Sequence, residues 1–241
     1  MLSVVIPTYN EEDFLPALLA SLARQSVRDV EIIVADAQST DKTRAIAKKH
    51  GCTVVEGGLP AVGRNNGAAV AHGELLLFLD ADVLLPGEDF LAGVLKEFTE
   101  RHLDISTSLI RPMSSSSLDT LFYVFYNSYI YATQKFFPHA HGFFIIVRKE
   151  MHERIGGFDV RVQLAEDHDY AQRAAKAGAT FGVLMNEKLP VSTRRFLRDG
   201  HFRTAAKYVL CELHMLTLGS VKSDIFRYRF GYAKGLARKR P

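Results

Sequence analysis

Cysteine is scarce in this sequence: there are only Cys52 and Cys211. Two unpatterned thiols build neither a disulfide framework nor a zinc site, and their scarcity leads us to expect a reducing, cytoplasmic setting. Long apolar runs are missing as well. The longest uncharged aromatic stretch, Thr120 to Gln134, is too short to span a bilayer and carries Asn127 and Ser128. Phe202 to Val221 is interrupted by Arg203, Lys207, Glu212 and His214. Such a chain, if it meets a membrane, lies on it. The opening MLSVVIPTYNEED has no basic n-region and no long apolar h-region, so no signal peptide is expected. No internal repeat is visible, and the serine run in RPMSSSSLD (Arg111 to Asp119) reads as a loop.

What is present begins with charge. Between Lys222 and Pro241 there are seven lysines and arginines against Asp224 alone, a net +6 in a chain of +3 overall. A basic tail on a mildly acidic body points to an anionic membrane surface or a nucleic acid, or else to a solvated terminus.

The 241 residues suffice for one large α/β domain. Apolar runs alternate with helical periodicity: strands at Leu2 to Ile6, Val30 to Ala35, Cys52 to Val55 and Leu75 to Leu79, helices at Glu11 to Gln25, Ser39 to His50 and Val62 to Ala71. That order predicts an open, mainly parallel sheet flanked by helices. Beyond the serine run come a strand at Phe143 to Val147, a helix from about Ala165 to Ala177 closed by Gly178, and a strand at Thr180 to Leu184.

In such sheets ligands sit outside the carboxyl ends of the strands. Leu75 to Leu79 ends in Asp80-Ala81-Asp82. On extended chain these two acids would face one side, where a hard divalent cation, Mg2+ or Mn2+, would relieve their repulsion. The competing account has Asp82 capping a turn and Asp80 in solvent. Asp36 ends another strand, while Ser39, Thr40 or Asp41 can cap the following helix, which makes Asp41 structural. Glu166, Asp167 and Asp169 fall in the first turn of a helix, where acids favour the dipole, yet three exceed what capping requires. A carboxylate held there at a cleft could act as a general base.

SVVIPTYNEE, the Asp36 strand with STDKT after it, GRNNGAAVAHGELLLFLDADV, GGFD and AEDHDYAQR, in that order, resemble the family 2 glycosyltransferases of the GT-A fold. The resemblance covers about Ser3 to Arg195. It implies a glycosyltransferase domain over 1–195, with a nucleotide-binding half to about 112 and an acceptor half after it, followed by a helical basic extension over 196–241. It also implies a nucleotide-sugar donor, a divalent metal held by Asp80 and Asp82 against the donor diphosphate, and inversion in a single displacement. Pro7, Tyr9 and Glu11 would border the nucleotide, Asp36 would face base or ribose, and Arg64 would contact the nucleotide beside Ala81 and its flanking acids. Asp167 would be the base that deprotonates a sugar or lipid-linked acceptor.

One departure stands out. Many members have two adjacent aspartates before Gly-Ser-Thr-Asp, whereas this chain reads Asp36-Ala37-Gln38-Ser39, leaving uracil or guanine open. Past the acidic helix, Arg194 and Arg195 could reach the diphosphate and His201 could add a metal ligand, set against a basic surface loop. His139 and His141 could line an acceptor cleft or simply precede a strand. A sugar nucleotidyltransferase would need a glycine-rich basic loop after the first strand, and PTYNEEDF has none. A nucleotide-sugar-binding scaffold without catalysis would be expected to lack one of the two acidic motifs. Those considerations favour an enzyme, and the tyrosine-rich stretch, the partly amphipathic Phe202 to Val221 and the basic tail together lead us to expect it at the cytoplasmic membrane face, with no nucleic acid as partner.

Overall fold

The structure, a computed structural model, describes residues 1–193, 196 and 199–222, with the backbone alone at 186 and 187. The strands are β1 (Leu2–Thr8), β2 (Val30–Asp36), β3 (Thr53–Glu56), β4 (Leu75–Leu79), β5 (Ile105–Pro112), β6 (Phe144–Arg148) and β7 (Phe181–Val191). The helices are α1 (Leu15–Ala23), α2 (Thr43–Lys49), α3 (Pro60–Val70), α4 (Phe90–Glu100), α5 (Ser117–Thr133), α6 (Lys149–Arg154), α7 (Glu166–Lys176) and α8 (His201–Leu218).

All seven strands join one sheet in the order β3-β2-β1-β4-β6-β5-β7. β1 lies between β2 and β4, parallel to both. Its Leu2, Val4, Val5 and Ile6 are buried, as expected of a strand covered on both faces. The mainly parallel α/β architecture expected from the alternation is therefore present. Its exception is β6, which runs antiparallel to β4 and to β5.

The exception positions the site. Because Leu79 pairs with Phe144, β6 begins at the edge where β4 ends, and residues 139–143 are delivered beside Asp80. At the same edge Thr8 pairs with Asp36, and Val83 bridges to Val191 at the end of β7. The chain reverses its direction of winding between β1 and β4, and open α/β sheets bind ligands at such a switch point.

Helix α3 rides unusually close to the sheet. A Cβ on Gly67 would stand 2.3 Å from Val5 Cγ1, so the small residue sets the approach of the helix to β1. On the other face, α4 buries Phe90, Leu91, Val94 and Phe98 at helical spacing. The aromatic stretch from Thr120 proves to be most of α5, and Asn127 is its buried anchor, accepting from the Ile110 N–H at 3.0 Å and donating to the Ile110 carbonyl at 2.7 Å. Helix α8 packs on the body through Cys211 and Met215 against Leu164 and Val221. Both cysteines are free and buried. Among the described residues no helix is long and apolar enough to cross a membrane.

Candidate active site

Arg64, on α3, has a side chain only 2% exposed. Its Nη1 donates to Glu166 Oε1 at 2.8 Å, and its Nη2 donates to Asp80 Oδ1 at 3.1 Å and to the Gly142 carbonyl at 3.0 Å. The guanidinium carbon lies 5.4 Å from the Phe158 ring centroid, a cation–π contact. One side chain thus joins the end of β4, the start of β6 and the first turn of α7. Burial by itself would lower the Arg64 guanidinium, but Asp80, Glu166 and Asp167 outweigh it and raise its pKa. In this arrangement Arg64 is a buried clamp.

Asp167 is tied to the same cluster through the backbone. Its Oδ2 accepts the Gly142 N–H at 2.6 Å and its Oδ1 the N–H of His168 at 2.9 Å, while its side chain remains 19% exposed. Burial pushes its carboxyl above the usual carboxylate range against the pull of Arg64 and those two N–H groups. Glu166 is also raised, by burial and then by the charge of Asp167, with Arg64 opposing. An added Cβ on Gly142 would stand 2.5 Å from Arg64 Nη2 and 3.1 Å from Asp167 Oδ2, so both clamp partners would have to shift. Ala165, just before α7, holds a left-handed φ of 58°, an uncommon conformation for a residue with a Cβ and one that accumulates at functional sites.

Asp80 is 38% exposed and Asp82 is half-buried. The chain from Ala81 to Asp82 is a turn, so the alternation expected of extended chain does not apply there. Ala81 is buried. Among the described residues no three His, Cys, Asp or Glu side chains gather as a metal-ligand set.

The other expected residues fall in two groups. Pro7 and Tyr9 are half-buried at the end of β1, and the Glu11 N–H donates to Thr43 Oγ1 at 2.8 Å, stitching this loop to the one after β2. Asp36 is fully buried: Oδ1 accepts from Thr8 and Ser39 hydroxyls at 3.0 and 2.6 Å, Oδ2 accepts the Ser39 N–H at 3.0 Å, and Arg44 lies 3.6 Å away. It braces the loop from beneath. Asp41 is structural as expected, accepting the N–H groups of Thr43 and Glu12 at 2.9 and 3.1 Å. Gln38 takes a φ of 58° and donates to Glu56 at 3.0 Å.

His201 is committed elsewhere, bonded to Asp119 and stacked on Phe196 at 4.9 Å, so it is not brought to the aspartate pair. His139 and His141 are buried. His141 Nε2 meets the Ser108 carbonyl at 2.9 Å and must donate, which leaves Nδ1 to accept from Tyr126 at 3.1 Å. Burial lowers this imidazole to about 3. His139 meets Glu212 of α8 at 2.7 Å. Both histidines hold α5, α8 and the start of β6 together and do not line a cleft. Asp169 binds Arg173 at 2.7 Å and also Ser220. Arg194, Arg195 and the basic tail beyond Lys222 lie outside the described residues. A cavity of about 520 Å3 lined by Glu97, Arg101, Tyr131 and Phe181 shares no residue with this cluster.

Sequence reasoning did not single out Gly142, Asn65 or Glu212. Asn65 clasps the GGFD loop, accepting the Phe158 N–H at 2.8 Å and donating to its carbonyl at 2.9 Å. The signal available was a lone glycine directly before the apolar run FFIIV.

An open α/β sheet with carboxylates gathered at its switch point defines a class of ligand-binding α/β domains. Within that class the chain matches the model of "Glycosyl transferase family 2" over residues 3–156, and it belongs to that family. It is 38% identical over 109 residues to a 4,4'-diaponeurosporenoate glycosyltransferase of Staphylococcus haemolyticus, a match covering 42% of this chain and 29% of the relative. An uncharacterized glycosyltransferase of Haemophilus influenzae is 26% identical over 212 residues, 80% of this chain and 68% of its own length. Among solved structures, a mannosyltransferase from Pyrobaculum calidifontis in complex with GDP-Man and Mn2+ superposes with a TM-score of 0.66 at 26% identity, covering 87% of this chain and 64% of that one. Staphylococcus aureus TarS in complex with UDP, at 20% identity, shares the fold with a TM-score of 0.64, over 89% of this chain and 72% of its own. The chain spans less than a third of the length of the first curated relatives it matches.

Proposed function

We propose that this chain is an inverting, metal-dependent glycosyltransferase that moves a sugar from a UDP- or GDP-linked donor to a hydroxyl of a sugar or lipid-linked acceptor. The observation that carries this reading is the clamp itself. Arg64 and Gly142 fix Asp167 and Asp80 on one buried scaffold, so a base and a diphosphate site are held at a set separation.

The donor lies over the carboxyl ends of β1, β2 and β4, bordered by Pro7, Tyr9 and Glu11, with Asp36 bracing the loop below. Asp80 and Asp82 suit a hard cation that completes its shell from phosphate oxygens and water, the habit of Mg2+ and the preference of Mn2+ for oxygen donors. When bound, such an ion neutralises charge gathering on the departing diphosphate. Asp167 takes the proton of the acceptor hydroxyl, whose oxygen forms a bond to the anomeric carbon on the face opposite the diphosphate. The bond from that carbon to the phosphate oxygen breaks, and its electron pair leaves with the nucleoside diphosphate. The raised pKa of Asp167 makes it a stronger base than a solvated aspartate, and its accessible surface admits the hydroxyl. The Mn2+ and GDP-Man bound to the Pyrobaculum mannosyltransferase support the reading.

Incubation with UDP- and GDP-sugars and Mn2+ tests it, through release of nucleoside diphosphate and the anomeric coupling of the product in proton NMR. Donor binding without any turnover, not even slow hydrolysis, would make the protein a binder. A retained anomeric configuration would remove the single displacement.

A further inference from the structure

Beside the acidic site, α5 and α8 lie side by side. Phe122 meets Phe202 near their first turns, with ring centroids 6.4 Å apart, and farther along Tyr129 donates to Glu212 at 2.6 Å. Each helix buries a narrow stripe: Asn127 and Ile130 on α5, Thr204, Cys211 and Met215 on α8. Each also turns an apolar row outward. On α5 the row is Leu118, Leu121, Val124 and Phe125, the last 73% exposed. On α8 it is Phe202, Val209, Leu213 and Leu216, with Phe202 80% exposed. The spacing 202, 209, 213, 216 is that of one helical face, opposite the buried stripe. Two neighbouring helices thus present one continuous apolar surface of a kind that marks an interaction site.

We propose that this α5–α8 face docks the protein on the surface of an anionic lipid bilayer. The choice of occupant rests on charge. Arg203 and Lys207, one turn apart, line one edge of the outward row of α8, between its apolar and buried arcs, and the sequence continues from Lys222 with a net +6 over twenty residues. An apolar face edged by cations is the pattern of helices that lie in the headgroup plane, and each cation near an anionic leaflet strengthens the attachment. In a face-to-face dimer the same basic edges would meet like charge. Neither helix is apolar enough to cross, so the attachment is at the surface.

Because vesicle binding needs no donor, acceptor or turnover, docking and transferase activity succeed or fail separately. The full chain is sedimented with vesicles of phosphatidylcholine alone or mixed with phosphatidylglycerol, in low and high salt. Binding to the mixed vesicles that weakens with salt is expected. Combining Phe125→Ser, Leu213→Ser and Leu216→Ser should reduce binding roughly tenfold with an unchanged melting temperature, since the replaced side chains are exposed. Combining Arg203→Glu and Lys207→Glu should abolish the preference for anionic lipid. Protein left in the supernatant with mixed vesicles in low salt would overturn the proposal, as would a triple serine variant that binds like the wild type. A dimer by light scattering that the serine substitutions disperse, without vesicle binding, would assign the face to a second copy instead.

Discussion

Replacing Asp167 by Asn keeps its size and one of the two bonds it accepts from the Gly142 and His168 N–H groups, but removes its ability to take a proton. Turnover should fall roughly 10²–10⁴-fold with donor affinity nearly unchanged. Near-normal turnover would exclude it and move attention to Glu166. Arg64 gives a different outcome because its part is structural as well as electrostatic. Arg64→Met leaves Glu166, Asp80 and Asp167 facing one another without their shared cation, at a cost of about 3–5 kcal/mol. Thermal unfolding should register a drop on the order of 10 °C. The same change should raise the pKa of Asp167 further and shift the acidic limb of the pH–rate profile upward. Arg64→Lys, which keeps the charge and loses the fork, should lie between the two.

At the scale of elements, β6 matters most, because its reversed direction brings Gly142 to Asp167. Gly142→Ala places a Cβ against both clamp partners, so Asp167 must shift by a fraction of an ångström or more. Displacements of that order can cost up to about a hundredfold in rate. We expect kcat to fall far more than stability, and parallel losses would show that Gly142 serves folding only. The elements also explain what could be read beforehand. Leu75 to Leu79 was legible because a strand buried on both faces needs an unbroken apolar run. β5 was not, because ISTSLIRP mixes hydroxyls into a buried strand. Two of those hydroxyls are satisfied by the chain itself: Ser106 donates to the Gly182 carbonyl at 2.7 Å and Thr107 to that of Phe144 at 2.8 Å. Asp80, Asp82 and Asp167 were legible as strand-end and helix-start acids. The part Arg64 plays was hidden because its partner Glu166 is 102 residues away, a pairing that only the tertiary fold creates. The pairing of His201 with Asp119 was hidden for the same reason, since the two are 82 residues apart.

For the whole molecule, buried neutral histidines make acid the vulnerable side. Burial lowers His141 to about 3 and His152 to about 4, while both would titrate near 6.5 in the unfolded chain. Between those values the unfolded state binds more protons, so stability is complete above about pH 6.5 and is lost as the pH falls, by up to about 1.4 kcal/mol per pH unit for each histidine. Melting temperature should therefore decline from just below pH 6.5. His152 accepts from or donates to the Tyr170 hydroxyl at 2.8 Å, and His152→Gln should flatten part of that decline. A melting temperature unchanged down to pH 4.5 would contradict the buried placement of both rings.

The central claim is that Asp80 and Asp82 hold a divalent ion against a donor diphosphate, and thermal shift with nucleotide-sugars tests it most directly. A ligand at a hundred times its dissociation constant stabilises by about 2.7 kcal/mol, a shift that is readily measured. With Mn2+ present, at least one UDP- or GDP-sugar should raise the melting temperature of the wild type. Without Mn2+ the shift should shrink sharply, and Asp82→Asn should lose the Mn2+-dependent part while melting normally in the absence of donor. A variant that responds to donor and Mn2+ as the wild type does would contradict the claim.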